Sequence, residues 1–245
     1  MNKHKHLKQT AVILTILILI LVGIFVIYVN DFYQADDHAL ASLQSTKTVT
    51  VHTIQKDILV FSPKEPKAGM IFYPGGKVQY EAYAPLMHSL AEQGIVGVLV
   101  HMPCNLAVFN VNAADGIKKE FPSISRWYLG GHSLGGSMAA SYVQRHIGEY
   151  EGVVLLAAYS TADLTNTGMK VLSIYGSNDN VLNREKYQRY RENLPKDTME
   201  YVIAGGCHAY FGSYGTQKGD GTPMITAEEQ IDDTVETIKK FMEIE

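Results

Sequence analysis

The run Gly131-His132-Ser133-Leu134-Gly135-Gly136 constrains this chain more than any other stretch. It stands between residues 126–130, short and rich in aromatic and apolar side chains, and residues 137–143, which read as helix. A chain that passes from strand to helix within so few residues turns sharply, and a serine at the apex takes up a strained backbone conformation. The positions two before and two after that serine then need to lack bulk, which Gly131 and Gly135 satisfy. Such a turn lifts the hydroxyl clear of a sheet. It also sets the next backbone N–H, that of Leu134, at a helix N-terminus where a developing oxyanion would sit. Alone, the pentapeptide is a weak signal, and its surroundings decide what it is worth.

Those surroundings alternate between strand and helix. Residues 48–54 and 57–61 are two adjacent short strands that predict an antiparallel hairpin. Strands follow at 70–73 and 95–100, with a helix over 83–93 between them that carries Leu86, Leu90 and Ala91 on one face. A helix is expected over 110–120, then a strand at 127–129, the serine turn with its helix, and strands at 153–157 and 171–175. A helix over 184–193, a strand at 199–203 and a final helix complete the order; Thr226 and Glu229 form a capping box for the last, and Ile231, Val235, Ile238 and Phe241 recur at helical spacing. The strand at 95–100 is wholly apolar and therefore buried on both faces. The predicted fold class is α/β: a mainly parallel sheet with helices on both faces and no large lid.

Ahead of this domain, residues 11–29 run for 19 positions without a charge. At about 1.5 Å per residue such a helix nearly spans a hydrocarbon core of about 30 Å. Lys3, Lys5 and Lys8 precede it and Asp31, Asp36 and Asp37 follow. The positive-inside rule then expects residues 1–10 as a cytoplasmic tail, 11–29 as a single-pass anchor in the cell membrane, 30–46 as a stalk and 47–245 as an extracytoplasmic domain. The alternative is a cleaved signal peptide, because Ala39-Leu40-Ala41 has the small-residue pattern of a cleavage site, although it lies ten residues beyond the apolar run. The net charge of −4 and the dispersal of Lys and Arg give no basic stripe, so nucleic acid is excluded as a partner, and no protein partner is expected. The two cysteines, Cys104 and Cys207, are read as buried small apolar side chains, although both fall in loops at one end of the sheet and a bridge is conceivable.

A serine hydroxyl is a poor nucleophile at neutral pH and needs a base, which in turn needs an acid to orient it. After the strand at 171–175 comes Gly176-Ser177-Asn178-Asp179-Asn180, and after the strand at 199–203 comes Ala204-Gly205-Gly206-Cys207-His208. Ser133, Asp179 and His208 thus stand at three strand ends in the order serine, acid, histidine. Asp163 competes with Asp179 as the acid; Asp220 follows His208 and would break the order. Of the nine histidines, His132 adjoins the serine and should pack away from its hydroxyl, while His101 ends a strand and could line the mouth. Oxyanion donors are expected from Leu134 and from the loop Pro74-Gly75-Gly76-Lys77, at Gly76 or Lys77.

With these motifs, residues 57–243 resemble the α/β-hydrolase superfamily, in particular its small lidless members of dienelactone-hydrolase type. The resemblance implies a serine hydrolase with Ser133 as nucleophile, Asp179 orienting, and His208 as general base and acid, with no cofactor. Two positions depart from the pattern. The oxyanion loop reads Tyr-Pro-Gly-Gly-Lys where many esterases have His-Gly-Gly-Gly, and the nucleophile is serine where dienelactone hydrolases carry cysteine. The expected substrate is a small acyl compound in a pocket that includes Tyr80, Phe109, Tyr159 and Tyr210. The glycine-rich stretch 212–223 is a flap or a surface loop. A peptidase or amidase of the same fold, and a catalytically silent binding domain, are the competing functions. No metal site is indicated, since the histidines and cysteines lack ligand spacing.

Overall fold

The structure, a computed structural model, describes residues 2–244, with side chains from residue 6. It divides into two units, residues 1–32 and residues 33–245. The first is a single helix, α1 (Asn2–Asn30), whose section His6–Asn30 contains an 18-residue stretch of mean hydropathy 3.3 and is long and apolar enough to cross a membrane.

The second unit is built on one eight-stranded sheet. After a short helix α2 (Asp37–Ala41) come β1 (Val49–Ile54) and β2 (Ile58–Pro63), paired antiparallel as the hairpin predicts. There follow β3 (Ala68–Tyr73), α3 (Ala84–Glu92), β4 (Ile95–Val100), β5 (Trp127–His132), α4 (Leu134–Gln144), β6 (Gly152–Leu156), β7 (Lys170–Gly176), α5 (Arg184–Tyr190), β8 (Met199–Ile203) and α6 (Ala227–Phe241). The strand order is β1-β2-β4-β3-β5-β6-β7-β8. β2 meets β4 antiparallel, and every pairing from β4 through β8 is parallel.

Strands β3 to β6 are buried along their whole length, which is why they read as continuous apolar runs rather than alternating ones. The sheet divides the core into two layers. Phe72, Leu172 and Ile174 face α3 and α6 through Leu86, Leu90, Ile238 and Phe241, whereas Ile71, Val98, Leu129 and Leu155 face α4 through Ala139, Ala140 and Val143. Each fully buried Leu, Ile or Phe contributes about 1.5–3 kcal/mol of transfer free energy. Caps fix the helix starts: the Thr226 hydroxyl accepts from Glu229 N at 3.1 Å while the Glu229 carboxylate accepts from Thr226 N at 2.7 Å, and Asn183 caps α5 by accepting from Lys186 N at 2.8 Å.

Two segments differ from the sequence expectation. Residues 110–120 form no α-helix, only turns and a short 3₁₀ segment at Ile117–Glu120, with Gly116 at φ +77° interrupting the run. The Tyr73 hydroxyl, projecting from β3, takes the place of the helical ladder: it donates to Val111 O at 2.8 Å and accepts from Ala114 N at 3.0 Å. Residues 33–46, read from their polarity as a stalk, pack within the second unit; Ala39 is completely buried and Tyr33 bridges in parallel to Val78.

Candidate active site

Ser133 sits between β5 and α4 with φ 51° and ψ −118°, a sparsely populated conformation that costs about 1–3 kcal/mol. Surrounding structure holds it there: its N–H donates to Leu156 O at 2.8 Å and its carbonyl accepts from Ser137 N at 3.1 Å. Closeness of the crossing chains explains the glycines. A β-carbon on Gly131 would lie 2.6 Å from Gly135 C, and one on Gly135 would lie 2.2 Å from both Tyr73 O and Pro74 O.

At the ends of the next strands, parallel pairing brings two loops together. Asp179 follows β7 and His208 follows β8, and the imidazole Nδ1 lies 2.9 Å from Asp179 Oδ2 with both residues buried. The other carboxylate oxygen, Oδ1, accepts from the backbone N–H of Val181 at 2.9 Å and of Leu182 at 2.7 Å. Asp179 is thereby oriented before it meets the histidine. The competing acid is elsewhere: Asp163 is exposed and spent on Thr165, whose hydroxyl and backbone N–H hold its carboxyl below the usual carboxylate range.

Two residues that sequence reasoning did not assign to the site hold the histidine loop. Gln230, fully buried on α6, takes both backbone groups of Cys207, accepting from its N–H at 2.9 Å and donating to its carbonyl at 2.8 Å. Asp220 accepts from Ala209 N at 2.9 Å with one oxygen and from Asn180 N at 3.3 Å with the other, so it links the acid loop to the residue after His208. The stretch 212–223 is thus laced into the site rather than free of it. Gln230 lies at a helical position that only its partners distinguish, and Asp220 bonds mainly backbone groups, so neither leaves a pattern in the sequence.

A cleft of about 230 Å³ opens above Ser133. Ser133, Leu134, Ser137, Tyr159, Leu182 and His208 are among its lining residues. No hydrogen bond joins the Ser133 hydroxyl to His208 among the described residues. Of the four aromatic residues expected in a substrate pocket, Tyr159 lines the cleft, its ring stacked on Tyr190 at 5.4 Å. The other three do not. Tyr80 packs edge-on against His101 at 5.1 Å, Phe109 is exposed, and Tyr210 packs on the core beside α6. His101 is itself turned toward Asp57, 3.4 Å away, and not toward the cleft.

The loop after β3 approaches the start of α4. A β-carbon on Gly76 would lie 3.0 Å from Leu134 Cδ2, so this glycine and Leu134 stand side by side. The neighbouring N–H groups are engaged: that of Gly75 donates to the Tyr83 hydroxyl at 3.0 Å, and that of Lys77 to Asn105 O at 2.8 Å. Of the two alternatives expected for the loop's oxyanion donor, Gly76 and Lys77, the Lys77 N–H is thus already taken by Asn105 O. Beneath this loop His132 is buried, its Nδ1 2.7 Å from the Tyr83 hydroxyl and its ring 4.6 Å from that of His208. Burial, and then the charge of His208, hold its pKa well below the usual histidine value, so it packs as a neutral ring. The cysteines are both free, Cys207 buried as expected but Cys104 exposed. Among the described residues no three His, Cys, Asp or Glu side chains are grouped to hold a metal ion.

This geometry can be set beside known proteins. The chain resembles solved structures of TT1662 from Thermus thermophilus (TM-score 0.57, 14% identity, covering 80% of this chain and 99% of that one) and Est1E from Butyrivibrio proteoclasticus (0.55, 14%, 80% and 98%). It also resembles MGS-MChE2, an alpha/beta hydrolase enzyme from the metagenome of lagoon sediments of Mar Chica, Morocco (0.57, 16%, 78% and 98%). At these identities the likeness establishes the fold. A search of curated proteins finds no match. The sequence profile of the alpha/beta hydrolase family matches residues 69–232, which span β3 through the first turns of α6 and contain the serine turn, the acid loop and the histidine loop. By that match and by its strand order, this chain belongs to the alpha/beta hydrolase family.

Proposed function

We propose that the protein is a serine hydrolase that cleaves a small ester, or a related acyl bond, through Ser133, His208 and Asp179. The observation that carries this reading is the buried 2.9 Å pair of His208 Nδ1 and Asp179 Oδ2 beside a cleft that Ser133 also lines. Asp179 accepts a hydrogen bond from Nδ1–H, which keeps that proton on Nδ1 and leaves Nε2 as the base. As Ser133 Oγ bonds to the acyl carbon, its proton passes to His208 Nε2, a bond that commonly closes only in the substrate complex. The carbonyl electron pair moves onto oxygen, which accepts from the N–H groups of Leu134 and Gly76. On collapse the leaving alcohol takes the proton from Nε2, and water repeats the sequence to free the acid. Each oxyanion donor is worth about 10² to 10³ in rate.

Only 13 residues separate β6 from β7, too few for a large lid, and the small cleft favours a short acyl group. In this reading α1 anchors the protein in a membrane, with Lys3, Lys5 and Lys8 on the cytoplasmic side and the catalytic domain outside. A fluorophosphonate probe tests the nucleophile: wild type is labelled and Ser133→Ala is not. Equal labelling of the two overturns the assignment. A panel of esters and aminoacyl amides tests the bond, and turnover confined to the amides would replace the esterase with a peptidase.

A further inference from the structure

The oxyanion loop and the loop beyond His208 are held together by a segment that lies far from both in sequence. Tyr33 pairs with the first loop: its N–H donates to Lys77 O at 2.8 Å, its carbonyl accepts from Gln79 N at 2.9 Å, and Ala35 N donates to the Gln79 side-chain oxygen at 3.0 Å. Three residues on, Asp36 reaches the second loop. Its N–H donates to Ser213 O at 3.0 Å and its Oδ2 accepts from the Ser213 hydroxyl at 3.0 Å, while Oδ1 caps α2 by accepting from Ala39 N at 2.9 Å. The Tyr33 hydroxyl accepts from Lys218 N at 3.0 Å, and its ring lies 5.6 Å from that of Tyr214.

We infer that residues 33–43 are a positioning strap for the hydrolase site, fixing the orientation of the Gly76 N–H and the loop that follows His208. The inference rests on the reading of Ser133, His208 and Asp179 as the catalytic group. The residues around Gly76 have their freedom removed by three contacts: Gly75 N–H on Tyr83, Lys77 N–H on Asn105, and Lys77 C=O on Tyr33. Lys77 has φ +60°, a left-handed conformation that a lysine seldom adopts and that outside contacts must hold. All three contacts lie within the second unit, and the third comes from its first residue, so the segment that opens this unit is needed for a fully assembled site. Cleavage after Ala41 would remove Tyr33 and Asp36, and with them the strap.

The test uses the full chain in detergent micelles, with a short p-nitrophenyl ester for steady-state kinetics, the fluorophosphonate probe for labelling rate, and thermal unfolding as the measure of fold. Tyr33→Ala is expected to lower kcat and the labelling rate by about 10- to 100-fold at nearly constant KM, the scale of a loop misplaced by about 1 Å. Tyr33→Phe, which keeps the ring on Tyr214 and loses only the hydroxyl that accepts from Lys218 N, restores most of the rate, the backbone bonds to Lys77 and Gln79 being present in both variants. A Tyr33→Ala variant that is folded and turns over like wild type overturns the strap, as does a rate that falls only with the folded fraction. If Tyr33→Ala does not fold, Ser213→Ala decides: it removes the hydroxyl's contacts with Asp36 Oδ2 and His38 Nδ1 and leaves the Asp36 cap of α2, and an unchanged kcat then overturns the inference. Ser133→Ala separates the two claims, since equal labelling of wild type and Ser133→Ala removes the catalytic reading itself, whereas labelling lost only in Ser133→Ala with strap variants unaffected removes the strap alone.

Discussion

Asp179 carries three hydrogen bonds on two oxygens, and their division dictates what a single amide would do. Oδ1 is committed to two backbone N–H donors and Oδ2 faces the histidine. In Asp179→Asn the amide oxygen keeps the backbone donors and the NH₂ group turns to His208 Nδ1. The ring must then carry its proton on Nε2, facing Ser133, where it cannot accept. We expect kcat to fall by about 10⁴ while the fold survives, as checked by steady-state kinetics beside thermal unfolding. A fall of less than about tenfold would mean that another group orients the base.

At the scale of elements, the segment 110–120 shows where local pattern and tertiary contact part. Its composition suits a helix, yet Tyr73 satisfies Val111 O and Ala114 N from the neighbouring strand, and burial keeps the phenol protonated by pushing its pKa well above the usual range. Tyr73→Phe leaves those two backbone groups without their partner, at a cost of about 1–3 kcal/mol. Differential scanning calorimetry should show a fall of about 2–4 °C in Tm per kcal/mol. The central strands were legible because buried parallel strands are apolar throughout, and the sequence positions of Ser133, Asp179 and His208 after β5, β7 and β8 were legible although β8, at the sheet edge, is largely exposed. Gln230 and Asp220 were not, since each bonds backbone groups 23 or 11 residues away and obeys no local spacing. Three of four pocket aromatics failed for a related reason: a tyrosine near a strand end has several neighbours to pack on, and sequence does not rank them.

For the whole molecule, the cysteines report sidedness. Cys104 is exposed, whereas Cys207 is buried and burial pushes its thiol up to about 12. A membrane-impermeant maleimide applied to intact expressing cells should label the chain once, at Cys104, and Cys104→Ser should abolish the signal. Labelling that appears only after permeabilisation would reverse the proposed orientation. The packing of the polar segment 33–46 was likewise concealed by its composition, because several of its bonds run to residues that the chain supplies much later. Asp36 and Ser213 are 177 positions apart. Closing so long a loop delays the contact relative to local ones and makes it entropically costly on its own, so it forms once the sheet has already brought its ends near. During synthesis the strap residues emerge early and their contacts with Ser213 and Lys218 form late, and a chain lacking the final third of its sequence would keep the bonds to Lys77 and Gln79 but leave Asp36 without Ser213.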